Sequence, residues 1–488
     1  MPRYLFFYLA VILVFGAGIV GILRAGSDLR PAATGAAAAP AETGTAVLPR
    51  PAPDGAAGGL AGTLRDNLHH PFALLLLQIL VIVTAARLLG ALCRRIQQPP
   101  VIGEMIAGIL LGPSLLGAVA PAAHAFLFPT DSLGALRLLS QIGVVLFMFV
   151  VGIELDVQHL RQRADAAVLV SHASIVLPFF LGTAGALLLY RALAPAGVPF
   201  TPFALFMGVA MSITAFPVLA RIIEERGLAG SQLGSIAIAC AAVDDATAWC
   251  LLAVVVAIAK AGGAAGAVPT IALTLLFIAA MLFLVRPWLA RRAERRRPLE
   301  NGRSAGLLAV VLVFVFAAAL FTEVIGIHAL FGAFLAGVAM PPDPALRQFL
   351  RERMETFSSV FLLPLFFAFT GLRTQIGLLD DLRGWLLCAA IIGLAIAGKL
   401  GGSMAAARWT GMGWGDSFAL GALMNTRGLV ELIVLNLGYD LGILSPRIFA
   451  MLVLMALVTT FMTGPLLNLL AWWRRRAAPE AEAARVAV

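Results

Sequence analysis

The chain of 488 residues is too apolar for an ordinary water-soluble protein: hydrophobic residues make up 61% of it, charged residues only 12%, and the mean hydropathy is +0.96. Apolar runs of about 20 residues recur along its length, and each can cross a hydrocarbon core roughly 30 Å thick. The composition excludes a soluble enzyme. It also argues against a nucleic-acid partner despite the net charge of +9, because no soluble segment is large enough to form a basic module. An all-α polytopic membrane protein is predicted.

The first apolar run, near residues 4–23, stands apart from the rest. We expect residues 1–24 to form an N-terminal transmembrane helix or a signal peptide. The length favours a retained helix, whereas the stretch AAAAPAETGTA leaves cleavage open. Residues 25–70 are rich in Ala, Pro and Gly and cannot bury a core, so they are predicted to be a disordered periplasmic linker.

Thirteen further apolar runs predict a transmembrane domain over residues 71–473, followed by a short cytoplasmic tail at 474–488. With ends good to about 2 to 4 residues, the spans are placed near 71–92, 99–118, 135–155, 165–190, 201–223, 232–258, 267–289, 304–322, 325–341, 356–372, 384–407, 415–437 and 448–472.

Arginine predicts the orientation of these spans. Alternate loops are rich in arginine, including a run near 286–303, a group at 347–353 and Arg474 to Arg476, whereas the opposite loops carry one or two basic residues each. Cytoplasmic loops retain positive charge. We therefore predict a multi-pass protein of the bacterial inner membrane with a cytoplasmic C-terminus, in contact with membrane lipid.

Two adjacent aspartates, Asp244 and Asp245, lie in the middle of one span, in the run IAIACAAVDDATAWCLLAVVVAI. A charged side chain at the bilayer centre costs about 2.5 to 3.5 kcal/mol even on an insertion scale, so such groups are functional candidates by default. Adjacent helix residues project about 100° apart, so one carboxylate can contact a neighbouring helix while the other faces a water-filled cavity. The pair is predicted to handle cations or protons.

Lys399 lies inside another span, with apolar or small residues on both sides. The chain uses arginine almost everywhere else, and its other lysine is Lys260. Lysine can lose its proton when desolvated, whereas arginine stays charged. A titratable intramembrane cation is therefore predicted, in preference to a lysine that extends to the membrane surface.

Two spans are interrupted. In FALFMGVAMSITAFPVLARII, Ser212, Thr214 and Phe216 precede a proline that removes a backbone hydrogen bond. In FALGALMNTRGLVELIVLNLG, Asn425 and Thr426 begin a polar segment. Interrupted spans in both halves of a membrane chain indicate a transporter site, because half-helix ends present dipoles and bare carbonyls to an ion. An ordinary kink is the alternative for the proline break.

Two further charged pairs are candidates. Arg427 and Glu431 are four residues apart and share a helix face, which predicts a structural ion pair, with direct participation in transport as the alternative. Glu154 and Asp156 lie at a cytoplasmic helix end beside two arginines. They are predicted to be an interfacial pair, or else a cytoplasmic vestibule that attracts cations.

Several motifs in order resemble one family: PPVIGEMIAGILLGPSLLG, SITAFPVLARIIEE, AVDDATAW, AGKLGG, and NTRGLVELIVLNLG followed by FAMLVLMALVTTFMTGPL. They are similar to the monovalent cation:proton antiporter-2 family, close to its plant cation/proton exchanger branch, over residues 71–473. The plant exchangers usually have Asn before Asp at the acidic pair. This chain has two aspartates there, as electrogenic bacterial sodium/proton antiporters do.

The resemblance implies a sodium/proton antiporter fold with inverted repeats, two crossed unwound helices, 13 core transmembrane helices and one extra N-terminal helix, in a homodimer. Asp245 matches the carboxylate that exchanges cation and proton, which makes it the predicted ligand of the monovalent metal ion. Asp244 matches the residue that pairs with the intramembrane lysine, here Lys399. The unwound helices match Ser212, Thr214 and Phe216, and Asn425 and Thr426.

These observations predict a secondary antiporter that exchanges Na⁺ or K⁺ for H⁺ by alternating access, electrogenically if Lys399 also releases a proton. The resemblance further implies a role in pH homeostasis. An electroneutral K⁺/H⁺ exchanger is the alternative, and a channel-like cation efflux protein ranks below it. We expect no cofactor and no enzymatic activity, since no nucleotide, metal or nucleophile motif occurs in the sequence.

Overall fold

The computed structural model describes residues 2–31, 67–68, 70–154, 164–228, 230–261, 264–295 and 304–486. Over these residues the chain is helical, with short connections and no β-strand. Most of the predicted linker at 25–70 lies outside the described residues.

The helices are numbered in chain order. They are α1 (Pro2–Gly26), α2 (Pro71–Arg95), α3 (Pro100–Leu111), α4 (Leu116–Val119), α5 (Pro121–Leu127), α6 (Leu133–Glu154), α7 (Ala164–Leu193), α8 (Phe200–Ser212), α9 (Phe216–Glu225), α10 (Gln232–Lys260), α11 (Ala264–Ala280), α12 (Arg286–Arg295), α13 (Ser304–Val324), α14 (Ala329–Val338), α15 (Pro344–Phe357), α16 (Leu363–Arg373), α17 (Leu382–Ile396), α18 (Gly402–Trp409), α19 (Trp414–Met424), α20 (Leu429–Asp440) and α21 (Pro446–Val486). Three π-helical turns join consecutive helices, at Met281–Val285, Ser358–Leu362 and Ala397–Gly401.

Eleven helical segments of the described chain are long and apolar enough to cross a membrane, and the bent pair α19 and α20 raises the number to twelve. Shorter apolar helices, α14 and the Ala10–Gly26 part of α1, lie at the remaining predicted spans, near 325–341 and 4–23. The predicted all-α polytopic architecture is confirmed, whereas the number of 13 core spans and one extra helix stays a prediction.

One predicted loop is helical. The arginine-rich segment between the spans predicted to end at 341 and to begin at 356 forms α15, which continues through a π turn into α16. The Asp343 carboxylate caps α15 by accepting the Ala345 N–H at 3.0 Å, and Leu346 and Leu350 are buried on one face. The high density of arginine predicted a loop for this segment. The spacing of its apolar residues instead favours an amphipathic helix.

The membrane helices pack as two groups. The first group comprises α2, α3, α6 and α13 to α16, and the second comprises α7 to α10 and α17 to α21; helices pack mainly within their own group. Each group takes consecutive helices from both halves of the domain, the pattern expected of repeated halves. Outside the two groups, α1 packs on α7 and α8.

Small residues allow the close packing. A Cβ added at Gly152 of α6 would lie 2.2 Å from the carbonyl oxygen of Phe334, and one at Gly337 of α14 would lie 2.2 Å from that of Phe149. Helices in lipid gain little from apolar burial against each other, so backbone approach at small residues supplies much of the packing energy.

Charged residues link the two groups at one end of the molecule. Asp440, the last residue of α20, accepts from Arg373 of α16 at 2.7 Å and from Arg137 of α6 at 3.1 Å. Asn436, one turn earlier, donates to the Thr370 hydroxyl at 2.8 Å. The polar contacts position the second half of a broken helix against the first group.

Candidate functional site

The acidic pair lies near the middle of α10, in the second group. The helix starts after Ser231, whose hydroxyl caps it by accepting the Gly234 N–H at 3.0 Å. The side chains of Asp244 and Asp245 are 0% and 1% exposed. Both acidic groups are therefore enclosed by protein, and neither faces the surrounding lipid.

The two interrupted spans meet beside this pair. The first is unwound only at Ile213, Thr214 and Ala215; Ser212 ends α8 and Phe216 begins α9. The sequence analysis assigned both Ser212 and Phe216 to the unwound segment. Proline is accommodated within the first turn of a helix, so α9 begins at Phe216, one residue before Pro217. The unwound segment is three residues long.

The second break runs from Asn425 to Gly428, between α19 and α20, which are bent by 43°. One backbone bond and one side-chain contact connect the two broken spans: the Ala215 N–H donates to the Thr426 carbonyl at 3.0 Å, and the Thr214 hydroxyl lies 3.2 Å from the carbonyl of Met424, the last residue of α19. Each unwound segment thus provides a hydrogen-bond partner for a backbone group that has no helical partner in the other segment, as broken helices in lipid require.

Asp244 is the centre of a closed hydrogen-bond network. Its Oδ2 accepts from Lys399 Nζ at 2.8 Å, from the Thr214 hydroxyl at 2.6 Å and from the Ser174 hydroxyl at 2.8 Å. Its Oδ1 accepts from the Ser171 hydroxyl at 2.6 Å. Four donors from three other elements therefore compensate a carboxylate that burial would otherwise strongly disfavour.

Lys399 lies in the π turn between α17 and α18 and is completely buried. Besides Asp244, its ammonium donates to the carbonyl of Ser212 at 2.5 Å and to the carbonyl of Ser174 at 2.9 Å. The first of these is the terminal carbonyl of α8, which the break leaves without a helical donor. Lysine is thus held by one carboxylate and two backbone carbonyls.

Asp245 has the opposite surroundings. Both of its carboxylate oxygens are buried, and no side chain among the residues that the structure describes donates to them; the backbone N–H of Phe216, at the start of α9, approaches this carboxylate without forming a well-aligned hydrogen bond. In the second break, both polar atoms of the Asn425 amide are likewise without partners within the described part of the chain. Buried polar atoms are almost always paired, so unsatisfied oxygens beside unwound helices indicate a site for a species that comes and goes.

Arg427 and Glu431 are also completely buried, and Arg427 Nη1 lies 3.3 Å from Glu431 Oε2. The stronger contacts of Arg427 are to the carbonyls of Ala210 and Met211, both at 2.6 Å, at the C-terminal end of α8. A cation at this end complements the helix dipole. The arginine therefore bridges the two broken helices, in addition to forming the predicted i to i+4 pair.

At the end of α6, the Glu154 carboxylate lies 3.2 Å from Arg351 Nε of α15, a partner from a segment predicted to be a loop. Asp156 and the two arginines that the sequence placed beside it, Arg161 and Arg163, lie outside the described residues. Whether this end forms a vestibule stays a prediction.

Sequence reasoning missed Ser171 and Ser174, which lie on α7 and supply two of the four donors to Asp244. Serine is common in membrane helices, so the residue type alone gave no signal. The spacing gave a signal: Pro178 follows Ser174 by four residues, and a proline inside a helix leaves the backbone carbonyl four residues earlier without its N–H donor.

A helical membrane protein in which two broken helices meet beside buried acidic and basic groups has the architecture of a secondary transporter. Comparison with known sequences specifies the class: residues 80–473 match the sequence model of the sodium/hydrogen exchanger family (transmembrane region). The chain belongs to this family, which confirms the resemblance found in its motifs.

Several characterised relatives share the same region. The chain is 46% identical over 394 residues to the Na(+)/H(+) antiporter NhaS4 of Synechocystis, covering 80% of this chain and 96% of that protein. It is 41% identical to Cation/H(+) antiporter 17 of Arabidopsis thaliana, covering 82% and 49%. For K(+)/H(+) antiporter 1 of Saccharomyces cerevisiae the identity is 34%, covering 83% and 47%. The chain thus spans about half the length of the plant and yeast relatives.

A solved structure shares the fold. The sodium proton antiporter MjNhaP1 of Methanocaldococcus jannaschii superposes with a TM-score of 0.58 at 12% sequence identity, covering 81% of this chain and 95% of that one. The sodium/proton antiporter fold predicted from the motifs is confirmed by this neighbour.

Proposed function

We propose that the protein is a secondary active antiporter that exchanges a monovalent cation, Na⁺ or K⁺, for protons across the membrane. The observation that carries the proposal is Asp245, a buried carboxylate to which no side chain of the described residues donates a hydrogen bond, adjacent to an Asp244 that accepts four. The relatives named as Na(+)/H(+), cation/H(+) and K(+)/H(+) antiporters support the same chemistry.

The mechanism follows from competition for one site. An ionised Asp245 can bind a dehydrated cation through its two oxygens, assisted by oxygens of the second break such as the Asn425 amide. A protonated Asp245 has lost the negative charge that attracts the cation. Because the two states exclude each other, opening the site to each side of the membrane in turn exchanges one ion for the other.

We infer that exchange is electrogenic. When a cation binds next to Asp244, the Lys399 ammonium is the nearest competing positive charge, and lysine can release its proton where arginine cannot. Two protons would then return per cation and one net charge would move, which is worth about 2.3 kcal/mol per 100 mV of membrane potential. One-for-one electroneutral exchange is the alternative.

Purified protein in liposomes tests the exchange itself. Adding Na⁺, K⁺ or Li⁺ outside vesicles with a preformed pH gradient should dissipate the gradient, and the cation that does so at the lowest concentration identifies the substrate. Asp245→Asn should abolish the response. Asp416→Asn is the matched control, because Asp416 is half exposed and pairs with Arg474 outside the two helix breaks. A D245N variant as active as D416N would contradict the assignment.

Electrogenicity is tested separately, by finding the membrane potential at which opposing gradients of cation and proton give no net flux. Exchange of two protons per cation makes this reversal potential depend on both gradients. A flux that does not respond to a clamped potential would support electroneutral exchange and would leave the antiport assignment intact.

The family implies further properties. We propose that the protein resides in a bacterial inner membrane as a homodimer, with its C-terminus in the cytoplasm and a role in pH homeostasis. The alternation of arginine-rich and arginine-poor connections supports the orientation. Cross-linking in native membranes tests the dimer, and a reporter fused to the C-terminus tests the orientation.

A further inference from the structure

One of the two backbone carbonyls that bind the Lys399 ammonium lacks its usual helical donor. This carbonyl is that of Ser174, which lies inside α7 at a position where an α-helical carbonyl normally accepts from the residue four positions later. That residue is Pro178, which has no N–H to donate. The lysine ammonium, at 2.9 Å, donates to this carbonyl in place of the missing helical N–H.

The π turn that carries Lys399 packs closely against the same proline. Lys399 follows Gly398, and a Cβ added at Gly398 would lie 2.8 Å from Pro178 Cα and 2.9 Å from Pro178 Cβ. Contacts below 3.0 Å essentially never occur for real Cβ atoms, so any larger residue at 398 would move the π turn away from α7. Gly398 and Pro178 therefore set the distance between the two helices at the height of the ammonium.

We propose that Pro178 and Gly398 are positioning residues for Lys399, forming a lysine dock: Pro178 releases the Ser174 carbonyl, and Gly398 lets the lysine-bearing turn pack against it. The inference rests on the proposed function for its consequence, since the dock would set the pH at which Lys399 releases a proton during exchange. Its geometry does not depend on which cation is transported.

Other charged groups also act on Lys399, and they define what a test must hold constant. Asp244 and Asp245 lie on α10, while Arg427 and Glu431 act from the second broken helix. Neither Pro178 nor Gly398 is charged, so substituting them leaves all four of these groups in place. A change in the behaviour of Lys399 would then report the loss of the carbonyl acceptor.

Two substitutions remove the dock. Pro178→Ala restores an N–H that competes for the Ser174 carbonyl, and Gly398→Ala pushes the π turn away. Each has a matched control elsewhere in the chain. Pro269→Ala removes a proline from inside α11, which supplies no side chain to the site, and Gly401→Ala adds a Cβ in the same π turn where nothing lies within 4 Å.

The readout uses a property of this chain: Lys260 and Lys399 are its two lysines. In a Lys260→Arg background, ¹⁵N-lysine labelling leaves a single side-chain amine, whose NMR signal in nanodiscs can be followed with pH. A hydrogen bond to a charged group has a strength that corresponds to about one pH unit or more. P178A and G398A should therefore move the midpoint of the Lys399 signal to lower pH by about one unit, whereas P269A and G401A should not.

The outcomes separate the dock from the antiport. Unchanged midpoints in P178A and G398A would overturn the dock even if the protein transports cations. If P178A does not fold, G398A against G401A decides alone. A shifted midpoint in a protein without cation-dependent proton flux would support the dock and contradict the proposed function. In an active protein, the curve of apparent KM for the cation against pH should shift by the same amount in both dock variants.

Discussion

Asp244 and Asp245 are adjacent in sequence and equally buried, yet their surroundings differ in every polar contact. Asp244 accepts four hydrogen bonds, all from side chains and one of them from Lys399, whereas no side chain in the described part of the chain donates to Asp245. A fully bonded buried carboxylate holds helices together, while an unsatisfied one reduces stability unless something binds to it. The difference shows that two neighbouring buried carboxylates can be separated by packing alone into one that is bonded on both oxygens and one that is left available for the ion binding proposed above.

The largest expected effect is on stability, from removing the bonded member. Asp244→Ala leaves the Lys399 ammonium and three hydroxyls without their acceptor. Breaking a buried ion pair from one side costs about 3 to 5 kcal/mol, which unfolding of the purified protein in detergent would measure. The control is Asp416→Ala, which breaks a half-exposed pair and should cost less than about 1 kcal/mol. Equal losses of unfolding free energy in the two variants would contradict a structural role for Asp244.

The unsatisfied member should respond in the opposite direction. Asp245→Asn removes a buried carboxylate that lies beside the like-charged Asp244 and receives no side-chain hydrogen bond in the described chain, so unfolding should require an unchanged free energy or about 1 to 2 kcal/mol more, while transport is lost. The same detergent unfolding assay and the liposome flux assay give both quantities. If D245N were destabilised as much as the Asp244 variant, Asp245 would have structural partners, and the contrast between the two residues would disappear.

A single donor to Asp244 should have an intermediate effect. Ser171→Ala removes one of four bonds to a buried carboxylate and should lower the free energy of unfolding by about 1.5 kcal/mol. Ser140→Ala is the control, because this buried hydroxyl donates only to the Arg137 carbonyl of its own helix, at 2.7 Å. The two substitutions should separate in unfolding experiments, and identical losses would mean that Ser171 does not support the charge.

The smallest effect is a pH dependence of the wild-type protein. Each proton that competes with the cation should raise the apparent KM for the cation about tenfold per pH unit below the midpoint of its group, equivalent to about 1.4 kcal/mol. At higher pH the KM should become constant, because the carboxylate is then free. Flux measured from pH 6 to 9 gives the slope. Competition by two protons, at Asp245 and Lys399, is expected from electrogenic exchange and should steepen the rise toward a hundredfold per unit. A tenfold rise throughout would favour one-for-one exchange, and a flat line would exclude competition.

Much of the architecture was predictable from local sequence. Apolar runs of about 20 residues can satisfy their backbone in lipid only as helices, so the helical class followed from composition. The breaks were visible because Pro217 and the segment beginning at Asn425 interrupt apolar runs. The boundaries were less predictable: α15 was taken for a loop because its arginines outweighed its apolar spacing, and α9 begins before the proline that signalled the break.

The sequence by itself determined which groups are unusual: two aspartates and a lysine in apolar spans, each too costly to keep in lipid without a partner or a function. Only the tertiary structure decided how they differ. Lys399 is 155 residues from Asp244, and the network is completed by two serines of α7 and by the threonine of the first break. A hydrogen bond depends on distances of about 3 Å between such remote segments, so the packing of α7, α8, α10 and the π turn, and not the chain order, made one aspartate bonded and left the other available.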